Sequence, residues 1–249
     1  MNARQLGWRM QRFFRELCSH AGREGVIGFV EADKVRLLPE QTSYLTGRLG
    51  TLRLEDLTAV SLGLLYRESE ILAVPGRWQG RALTKDSWNQ YARAYQELNR
   101  LLRAFAGALV ERFGGVAEQP TVQGWVGQVG HVSDYLSHCI SHRAFAEAAR
   151  LGWRGRHGLL VTPEAGPALR LATCFVPGLI APVERDLHGC GTCRVCVEVC
   201  PILHQGEEYP ESCRRRIQAL GLEDDVCGIC VRVCWEQVAQ RGSQWRATP

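Results

Sequence analysis

Apolar residues recur at helical spacing in two long stretches of the chain. Residues 4–20 predict a first helix, which Gly22 can terminate. Residues 87–113 predict the longest helix, ended by Gly114 and Gly115. The apolar stripe of the first helix consists of Leu6, Met10, Phe13, Phe14 and Leu17, and that of the second of Tyr91, Tyr95, Leu98, Leu102, Phe105 and Leu109.

Shorter apolar runs, several of them bounded by glycine or proline, predict strands between and after these helices. The predicted strands are residues 25–30, 58–65, 70–74, 121–129, 159–162 and 168–176. Ser133 resembles the cap of a further helix that reaches Arg150, and residues 32–56 have a loop-like composition. Alternating helices and strands predict an α/β (α+β) layered domain.

Composition limits the function classes without choosing among them. The chain has 249 residues, 45% of them hydrophobic, which suffices for one core and a small appended module. We place the boundary after Pro177-Gly178, giving an α/β domain at 1–180 and a cysteine-rich module at 181–249. The net charge of +4 permits a nucleic-acid partner but does not indicate one.

The sequence predicts an intracellular protein. The first residues lack an apolar signal segment, and no apolar run is long enough to span a bilayer, so we expect no membrane association. The eleven cysteines suit a reducing compartment, and we therefore expect a cytoplasmic location.

Eight of these cysteines fall between positions 190 and 234. The first three are separated by two residues each, and the fourth follows after three residues and precedes Pro201. This run is typical of bacterial ferredoxins, in which the fourth thiolate binds a second cluster. The later cysteines repeat the pattern in reverse. The spacing therefore predicts a ferredoxin-like, metal-binding module for electron transfer with two 4Fe-4S iron–sulfur clusters.

The pseudo-two-fold crossing assigns a ligand set to each cluster. The first set is Cys190, Cys193, Cys196 and Cys234; the second set is Cys200, Cys213, Cys227 and Cys230. Structural zinc prefers closed four-ligand sets built from paired knuckles, which fits an unbroken four-cysteine run poorly. Disulfides would require an oxidising compartment.

The segment 145–166, FAEAARLGWRGRHGLLVTPEAG, lies directly before this cysteine run. An alanine-rich helix, a Leu-Gly-Trp-x-Gly turn and a Leu-Leu-x-x-Pro-x-x-Gly segment before a two-cluster module resemble the epoxyqueuosine reductase family. The corrinoid-dependent reductive dehalogenases are its related branch. The lone Cys213 between the two halves also matches. The resemblance is specific from about Ser133 onward and rests on general pattern before it.

The resemblance implies an oxidoreductase that holds cobalamin in the α/β domain and reduces it through the clusters. Low-valent cobalt would then act on an electrophile such as an epoxide on a modified tRNA base. Arg143 matches a family arginine near the substrate pocket. Gly152, Trp153 and Gly155 match the turn that packs close to the cofactor, and Arg156 stands where the family usually has lysine.

Three departures from the family pattern bear on its chemistry. Leu136 occupies the position of the family's proton-donating aspartate, and Asp134 lies two residues earlier. Trp235 replaces a proline after Cys234. The sequence ends at Pro249, and we expect the C-terminal repeats that help many family members grip tRNA to be absent. Together these departures put a tRNA substrate in doubt.

Two hypotheses follow. The chain is either a cobalamin-dependent iron–sulfur reductase acting on a corrinoid or small-molecule substrate, or a non-catalytic electron-transfer or reductive-activation protein for a redox partner. Leu136 favours the second, whereas Arg143 and the Leu-Gly-Trp turn favour the first. Either version needs an electron donor such as ferredoxin or flavodoxin.

Two polar groups have alternative interpretations. His138 and His142, one helical turn apart, either flank a ligand or form a partly exposed helix face. Arg214, Arg215 and Arg216 form either a solvated loop or a docking site for an acidic donor or phosphate. The remaining cysteines, Cys18, Cys139 and Cys174, are predicted to be buried thiols.

Overall fold

A computed structural model describes residues 2–76, 84–121, 130–205 and 209–246. The chain forms two compact units. The first consists of Met1–Leu65, Asn99–Leu151 and Arg170–Asp186, and the second of Tyr66–Leu98, Gly152–Leu169 and Leu187–Pro249. The second unit thus adds two earlier segments to the cysteine-rich region, and the boundary after residue 180 stays a prediction.

The α-helices of the described chain are α1 (Ala3–His20), α2 (Pro39–Leu49), α3 (Glu68–Leu72), α4 (Lys85–Phe113), α5 (His142–Ala148), α6 (Val195–Val199), α7 (Tyr209–Leu220) and α8 (Ile229–Arg246). The strands are β1 (Gly25–Glu31), β2 (Leu57–Leu65), β3 (Val116–Ala117), β4 (Trp153–Arg154), β5 (Leu160–Val161) and β6 (Leu169–Pro177). Short 3₁₀ helices lie at Ala32–Lys34, Leu54–Asp56 and Val132–Ser137.

The first unit is built on a four-stranded sheet in the order β1-β2-β6-β3. The β1/β2 and β3/β6 pairs are antiparallel. Strand β2 is buried along nearly its whole length, because it lies inside the sheet and α5 packs against it. Phe145 of α5 meets Phe175 of β6 edge-to-face at 5.3 Å between ring centroids. The mixed helix and sheet composition expected from the sequence is confirmed.

Helix α1 illustrates how the local sequence sets one of these elements. Asn2 and Gln5 form a reciprocal capping box at its start, which satisfies two otherwise unpaired backbone N–H groups. Met10, Phe14 and Cys18 then recur at helical spacing and are buried. Gly25 allows β1 to approach α1 closely, since a Cβ atom at this position would lie 2.9 Å from the Cys18 sulfur.

Several predicted elements differ in the structure. Residues 70–74 form part of α3 and its C-terminus rather than a strand, because Arg67 and Glu70 cap a helical turn. The loop-like region 32–56 contains α2, which begins with proline at its first turn. The single helix expected from Ser133 to Arg150 is a 3₁₀ helix followed by α5, which starts afresh at the Ser141 cap. Nearly all of the strand predicted at 121–129 lies outside the described residues.

The second unit combines the β4–β5 hairpin with α3, the first turns of α4, and helices α6 to α8. Aromatic stacking holds its early segment together, with Tyr66 and Tyr91 stacked at 4.8 Å between centroids. Gly228, which has a positive φ of 79°, packs directly on the Tyr91 ring, where a Cβ would approach to 2.7 Å. The residues just before α8 therefore rest on α4.

Candidate functional site

The eight cysteines of the predicted clusters all lie in the second unit, on three segments. The first segment carries four of them on the turn before α6, on α6 and at its C-terminus. The second is α7, which carries Cys213. The third carries Cys227 just before α8, and Cys230 and Cys234 one helical turn apart on α8.

Cysteines of the predicted second set lie close enough to influence one another's ionisation. Burial, and to a smaller extent the nearby Cys227 and Cys200, raise the pKa of Cys213 to about 11. Burial also raises the pKa of Cys230, with additional contributions from Cys227, Cys213 and Cys200. Residues from all three segments, separated by up to 30 positions, thus lie near one another, and the assignment of the cysteines to two clusters stays a prediction.

The predicted first set is gathered in part on the turn before α6. Burial raises the pKa of Cys196, and the neighbouring thiols Cys190 and Cys193 raise it further. Helix α6 packs against α8, the helix that carries Cys234. Cys196 also contributes to the raised pKa of Cys230, so a cysteine of one set lies near a cysteine of the other.

The thiol chemistry of these groups fits an iron–sulfur centre. All eleven cysteines are free of disulfides. Among the described residues, no group of three or more His, Cys, Asp or Glu side chains has an arrangement that could hold a metal ion. Thiols that share a buried region and have raised pKa values need a strong positive charge nearby to become thiolates, and a cluster of iron ions supplies that charge.

Three hydrogen-bonded contacts hold the cysteine segments in place. Trp88 Nε1 donates to the carbonyl oxygen of Cys227 at 2.6 Å. Arg156 donates to the carbonyl oxygens of Cys193 and Gly191 at 3.0 and 2.9 Å. The third contact is made by Arg232, which lies between the two cysteines of α8.

Arg232 is a buried cation, with 3% of the residue exposed. Its guanidinium donates to the carbonyl oxygens of Leu72 (2.9 Å) and Val74, and to Glu236 at 2.9 Å. A cation beside carbonyls at the end of α3 has favourable electrostatics, because those carbonyls lack partners within the helix. Arg232 therefore fixes α8 against the segment that follows α3.

The turn from Gly152 to Gly158 presents unsatisfied buried donors. A Cβ atom at Gly152 would overlap the carbonyl oxygen of Val161, and one at Gly155 would lie 2.6 Å from the His157 ring. His157 is 1% exposed; its Nδ1 accepts from Leu159 N–H at 3.1 Å, which leaves Nε2 as a donor. Neither His157 Nε2 nor Trp153 Nε1 has a hydrogen-bond partner among the described residues.

Two orphaned N–H groups on one turn fit a bound group that supplies acceptors. Burial lowers the pKa of His157 to about 4, so its ring is neutral at physiological pH. The amide-rich periphery of a corrin carries many carbonyl acceptors of the kind that these donors lack. These donors meet one chemical requirement of the cobalamin site that the resemblance implies at this turn, and binding of cobalamin there stays a prediction.

The described residues include those around the predicted proton-donor position. Asp134 is exposed, and its Oδ2 accepts from the backbone N–H of His131 at 2.8 Å, capping the 3₁₀ helix. Leu136 lies on the same 3₁₀ helix and is half-buried. Arg143 forms an ion pair with Glu147, one turn along α5, at 3.2 Å. The catalytic roles of Arg143 and Asp134 stay predictions.

The histidine pair predicted at 138 and 142 does not form. A new helix begins after Ser141, so the two residues do not share a helical face. His142 is buried; its Nε2 donates to the Gln119 carbonyl (2.8 Å) and its Nδ1 accepts from Thr173 Oγ1 (3.0 Å). Burial lowers its pKa to about 4. Both interpretations of the pair are therefore wrong for His142.

The spacing of residues in the sequence did not predict a buried carboxylate that the structure shows in the first unit. Glu118 is 2% exposed, accepts from Tyr44 Oη at 2.9 Å and pairs with Arg48 at 3.1 Å. Burial and then the Glu118 charge raise the pKa of Tyr44 to about 12. The three predicted buried thiols are confirmed: Cys18, Cys139 and Cys174 are all buried.

Comparison with known proteins confirms the resemblance to epoxyqueuosine reductases. The enzyme of that name from Alicycliphilus denitrificans is 28% identical over 236 residues, covering 87% of this chain and 59% of the relative. The one from Pseudomonas aeruginosa is 30% identical over 176 residues, covering 70% of this chain and 44% of the relative. The chain thus spans less than two thirds of the length of these relatives. No family model matches it.

Solved structures of epoxyqueuosine reductases are also similar to the chain. One, solved with an epoxyqueuosine-modified tRNA stem loop, has a TM-score of 0.44 at 19% identity and covers 81% of this chain and 53% of its own. Another, from Streptococcus thermophilus, has a TM-score of 0.44 and covers 78% of this chain and 52% of its own. No described helix has the length and apolar character needed to cross a membrane.

Proposed function

We propose that the chain is an iron–sulfur oxidoreductase that binds two 4Fe-4S clusters and passes electrons through them to a cobalamin or a substrate. The observation that carries this proposal is the convergence of Cys200, Cys213, Cys227 and Cys230 from three separate segments. Four thiols gathered from such distances match the crossed ligand pattern of a two-cluster ferredoxin.

Proximity of the two ligand sets supports electron transfer between the clusters. Helix α6 packs on α8, and Cys196 of the first set lies near Cys230 of the second. Thiolates bound to different clusters would therefore be close neighbours. A flavodoxin or ferredoxin is the expected class of external donor.

Cobalamin binding at the Gly152–Gly158 turn is the second part of the proposal. When bound, cobalamin supplies a low-valent cobalt that can attack an electrophilic carbon. The chain's part is to hold it: Gly152 and Gly155 permit close approach of backbone, and Trp153 and His157 supply N–H donors. Arg156 links this turn to the first cysteine loop, because it donates to two carbonyls of that loop.

The name of the relatives, together with the epoxyqueuosine-modified tRNA stem loop in one similar solved structure, makes an epoxide on a modified tRNA base the first substrate to test. Leu136 cannot deliver a proton to an opening epoxide, and the Asp134 carboxylate accepts a backbone hydrogen bond. Arg143, half-exposed on α5, is the proposed contact for the substrate.

Metal analysis of protein purified without oxygen tests the cluster proposal. We expect iron and acid-labile sulfide equivalent to two cubanes per chain, with an electron paramagnetic resonance signal on reduction. A Cys213→Ser variant should lose the signal of one cluster. Zinc in place of iron, or iron for far less than two cubanes, would overturn the proposal.

The visible spectrum of the loaded protein mixed with cobalamin tests the second part. Binding should shift the cobalamin spectrum to its base-off form, and cobalamin should co-elute with the protein. An unchanged spectrum without co-elution would leave the clusters in place and favour the non-catalytic electron-transfer role. Gain of epoxide reduction in a Leu136→Asp variant would show that the scaffold supports catalysis.

A further inference from the structure

The exposed face of α1 carries most of the excess positive charge of the chain. The helix contains four arginines and one glutamate, so its net charge is +3 with histidine neutral, whereas that of the whole chain is +4. The buried face of the helix is the one with Met10, Phe14 and Cys18, and the arginines face solvent. The four exposed arginines are Arg4, Arg9, Arg12 and Arg15.

Aromatic contacts hold α1 against the second half of α4 within the first unit. Phe14 meets Phe105 edge-to-face at 6.1 Å between ring centroids, and Phe13 meets Phe113 edge-to-face at the same distance. Beside these rings lies an open pocket of about 350 Å³, which is within the usual range for small-molecule sites, roughly 300–1,000 Å³. The pocket is lined by Trp8, Arg9, Arg12, Phe13, Glu16 and Arg112.

Two guanidinium groups lie on aromatic rings at this pocket. The Arg112 guanidinium lies over the Phe13 ring at 4.4 Å and 5.8 Å from the centroid of the Phe113 ring. The Arg9 guanidinium lies 6.0 Å from the same Phe113 centroid. Stacking on a ring orients the plane of a guanidinium and leaves its N–H edge able to donate, and this edge is the part of arginine that binds phosphate.

The charges at this end of the pocket favour an anion. Arg112 makes ring contacts but no ion pair within the described ranges of the chain. Arg12, in contrast, pairs with Glu16 at 2.9 Å. Because Arg9 and Arg112 bring two positive charges to one ring, they raise the electrostatic potential beside it. A phosphate group suits this position, since it supplies negative charge and several acceptor oxygens to guanidinium donors.

Trp8 and Glu16 add a flat surface and a hydrogen-bond acceptor to the pocket. Trp8 is 59% exposed, and an exposed indole is a stacking surface for a planar base. Glu16 Oε1 accepts from Arg12 Nε, and the carboxylate retains acceptor capacity for a hydroxyl or amino group. A phosphate, a sugar hydroxyl and a base would thus each meet a matching side chain.

We propose that the α1–α4 pocket binds a free nucleoside phosphate, with its phosphate at Arg9 and Arg112 and its base against Trp8. The Glu16 carboxylate repels the further phosphates that a nucleic-acid strand would bring, which favours a free nucleotide as the ligand. The inference goes beyond the proposed function, because the pocket requires neither the clusters nor cobalamin.

Isothermal titration calorimetry of the full-length chain with adenosine 5′-monophosphate at physiological ionic strength tests the site. We expect saturable binding of one nucleotide per chain. Arg112→Gln should weaken it at least tenfold, about 1.4 kcal/mol, because it removes a charged donor. Trp8→Ala should weaken it at least fivefold, because it removes the stacking surface. Absence of saturable binding, or an unchanged affinity in either variant, would overturn the proposal.

Control variants separate these effects from general changes in charge or folding. Arg103→Gln removes an exposed arginine of α4 that does not line the pocket, and it should leave the affinity unchanged. A loss equal to that of Arg112→Gln would show a general charge effect and overturn the proposal. Trp8→Phe keeps an aromatic ring and should retain most of the affinity, whereas a loss equal to that of Trp8→Ala would contradict stacking. Thermal unfolding confirms that each variant is folded.

Three further ligands identify what the pocket recognises. Adenosine lacks the phosphate and inorganic phosphate lacks the base, so each should bind at least tenfold more weakly than the nucleotide. Equally tight binding of either would overturn recognition of both parts. A short single-stranded oligoadenylate, compared at equal nucleotide concentration, should bind no more tightly than the monophosphate. Tighter binding would overturn the assignment to a free nucleotide and assign the basic face of α1 to a nucleic-acid strand.

Discussion

Replacing Arg232 by methionine tests how the last cysteine segment is held. Methionine keeps much of the side-chain volume and removes the guanidinium, so it leaves the carbonyls of Leu72 and Val74 and the Glu236 carboxylate without their donor. Helix α8 would then lose its polar attachment to the segment that follows α3. Cys230 and Cys234 lie on either side of the substituted position.

The expected loss of stability follows from the contacts. Each unpaired carbonyl costs about 1 kcal/mol net. Breaking a fully buried ion pair costs about 3–5 kcal/mol, but the Glu236 side chain is 25% exposed, so water can solvate part of its charge. We expect a total loss of about 3 kcal/mol.

Urea unfolding followed by circular dichroism, under oxygen-free conditions, measures this loss as a change in midpoint at constant slope. Arg93→Met is the control: its ion pair with Glu223 has side-chain exposures of 53% and 44%, and such pairs contribute about 0–1 kcal/mol. If Arg232→Met costs no more than Arg93→Met, the buried clamp does not stabilise α8 and the reasoning is wrong.

Three further predictions use the same protein. Gly152→Ala should destabilise it strongly, because the added Cβ overlaps the Val161 carbonyl, whereas Gly107→Ala, with open space inside α4, should stabilise it by up to about 1 kcal/mol; thermal unfolding separates the two. The pKa of His142 is about 4 in the folded state, below its ordinary 6.5, so the unfolded chain binds the extra proton first. The contribution of His142 to stability should therefore be complete above pH 6.5 and fall toward pH 4 by about 3 kcal/mol. Because the pKa of His157 is also lowered to about 4, His142→Gln should remove about half of the fall in urea midpoints across that range. His157→Asn keeps an acceptor for Leu159 N–H but loses the Nε2 donor, whereas His157→Gln keeps a donor near the position of Nε2. Only the asparagine variant should weaken the base-off spectral shift with cobalamin. Equal cobalamin affinities of the two variants would contradict the role of Nε2.

The long amphipathic helices were predictable because their apolar residues repeat over many turns. In α4, all six residues predicted to face inward are buried, from Tyr91 to Leu109. The short elements were not predictable in this way, because capping interactions outweigh the apolar composition of a short segment. Residues 70–74 have strand-like apolar character, yet the pairing of Arg67 with Glu70 starts a helix. The apolar periodicity predicted one continuous helix up to Arg150, but a new helix begins at the Ser141 cap.

The cysteine pattern was predictable because cluster chemistry fixes ligand spacing in sequence. Its polar surroundings were not, because they depend on contacts between distant segments. Nothing near Arg232 in the sequence indicates that its partners are Leu72 and Val74. Likewise, nothing in the run of three arginines indicates that it lies on α7 or that Arg214 and Arg215 bind the buried Glu211.

Helix α8 carries Cys230 and Cys234 one turn apart, and the crossed pattern assigns them to different clusters. Cofactor insertion at either centre would thus require the same helix to be in place. Maturation of the two centres should consequently be cooperative: partly loaded material should be a mixture of empty and fully loaded chains, with few molecules carrying a single cubane.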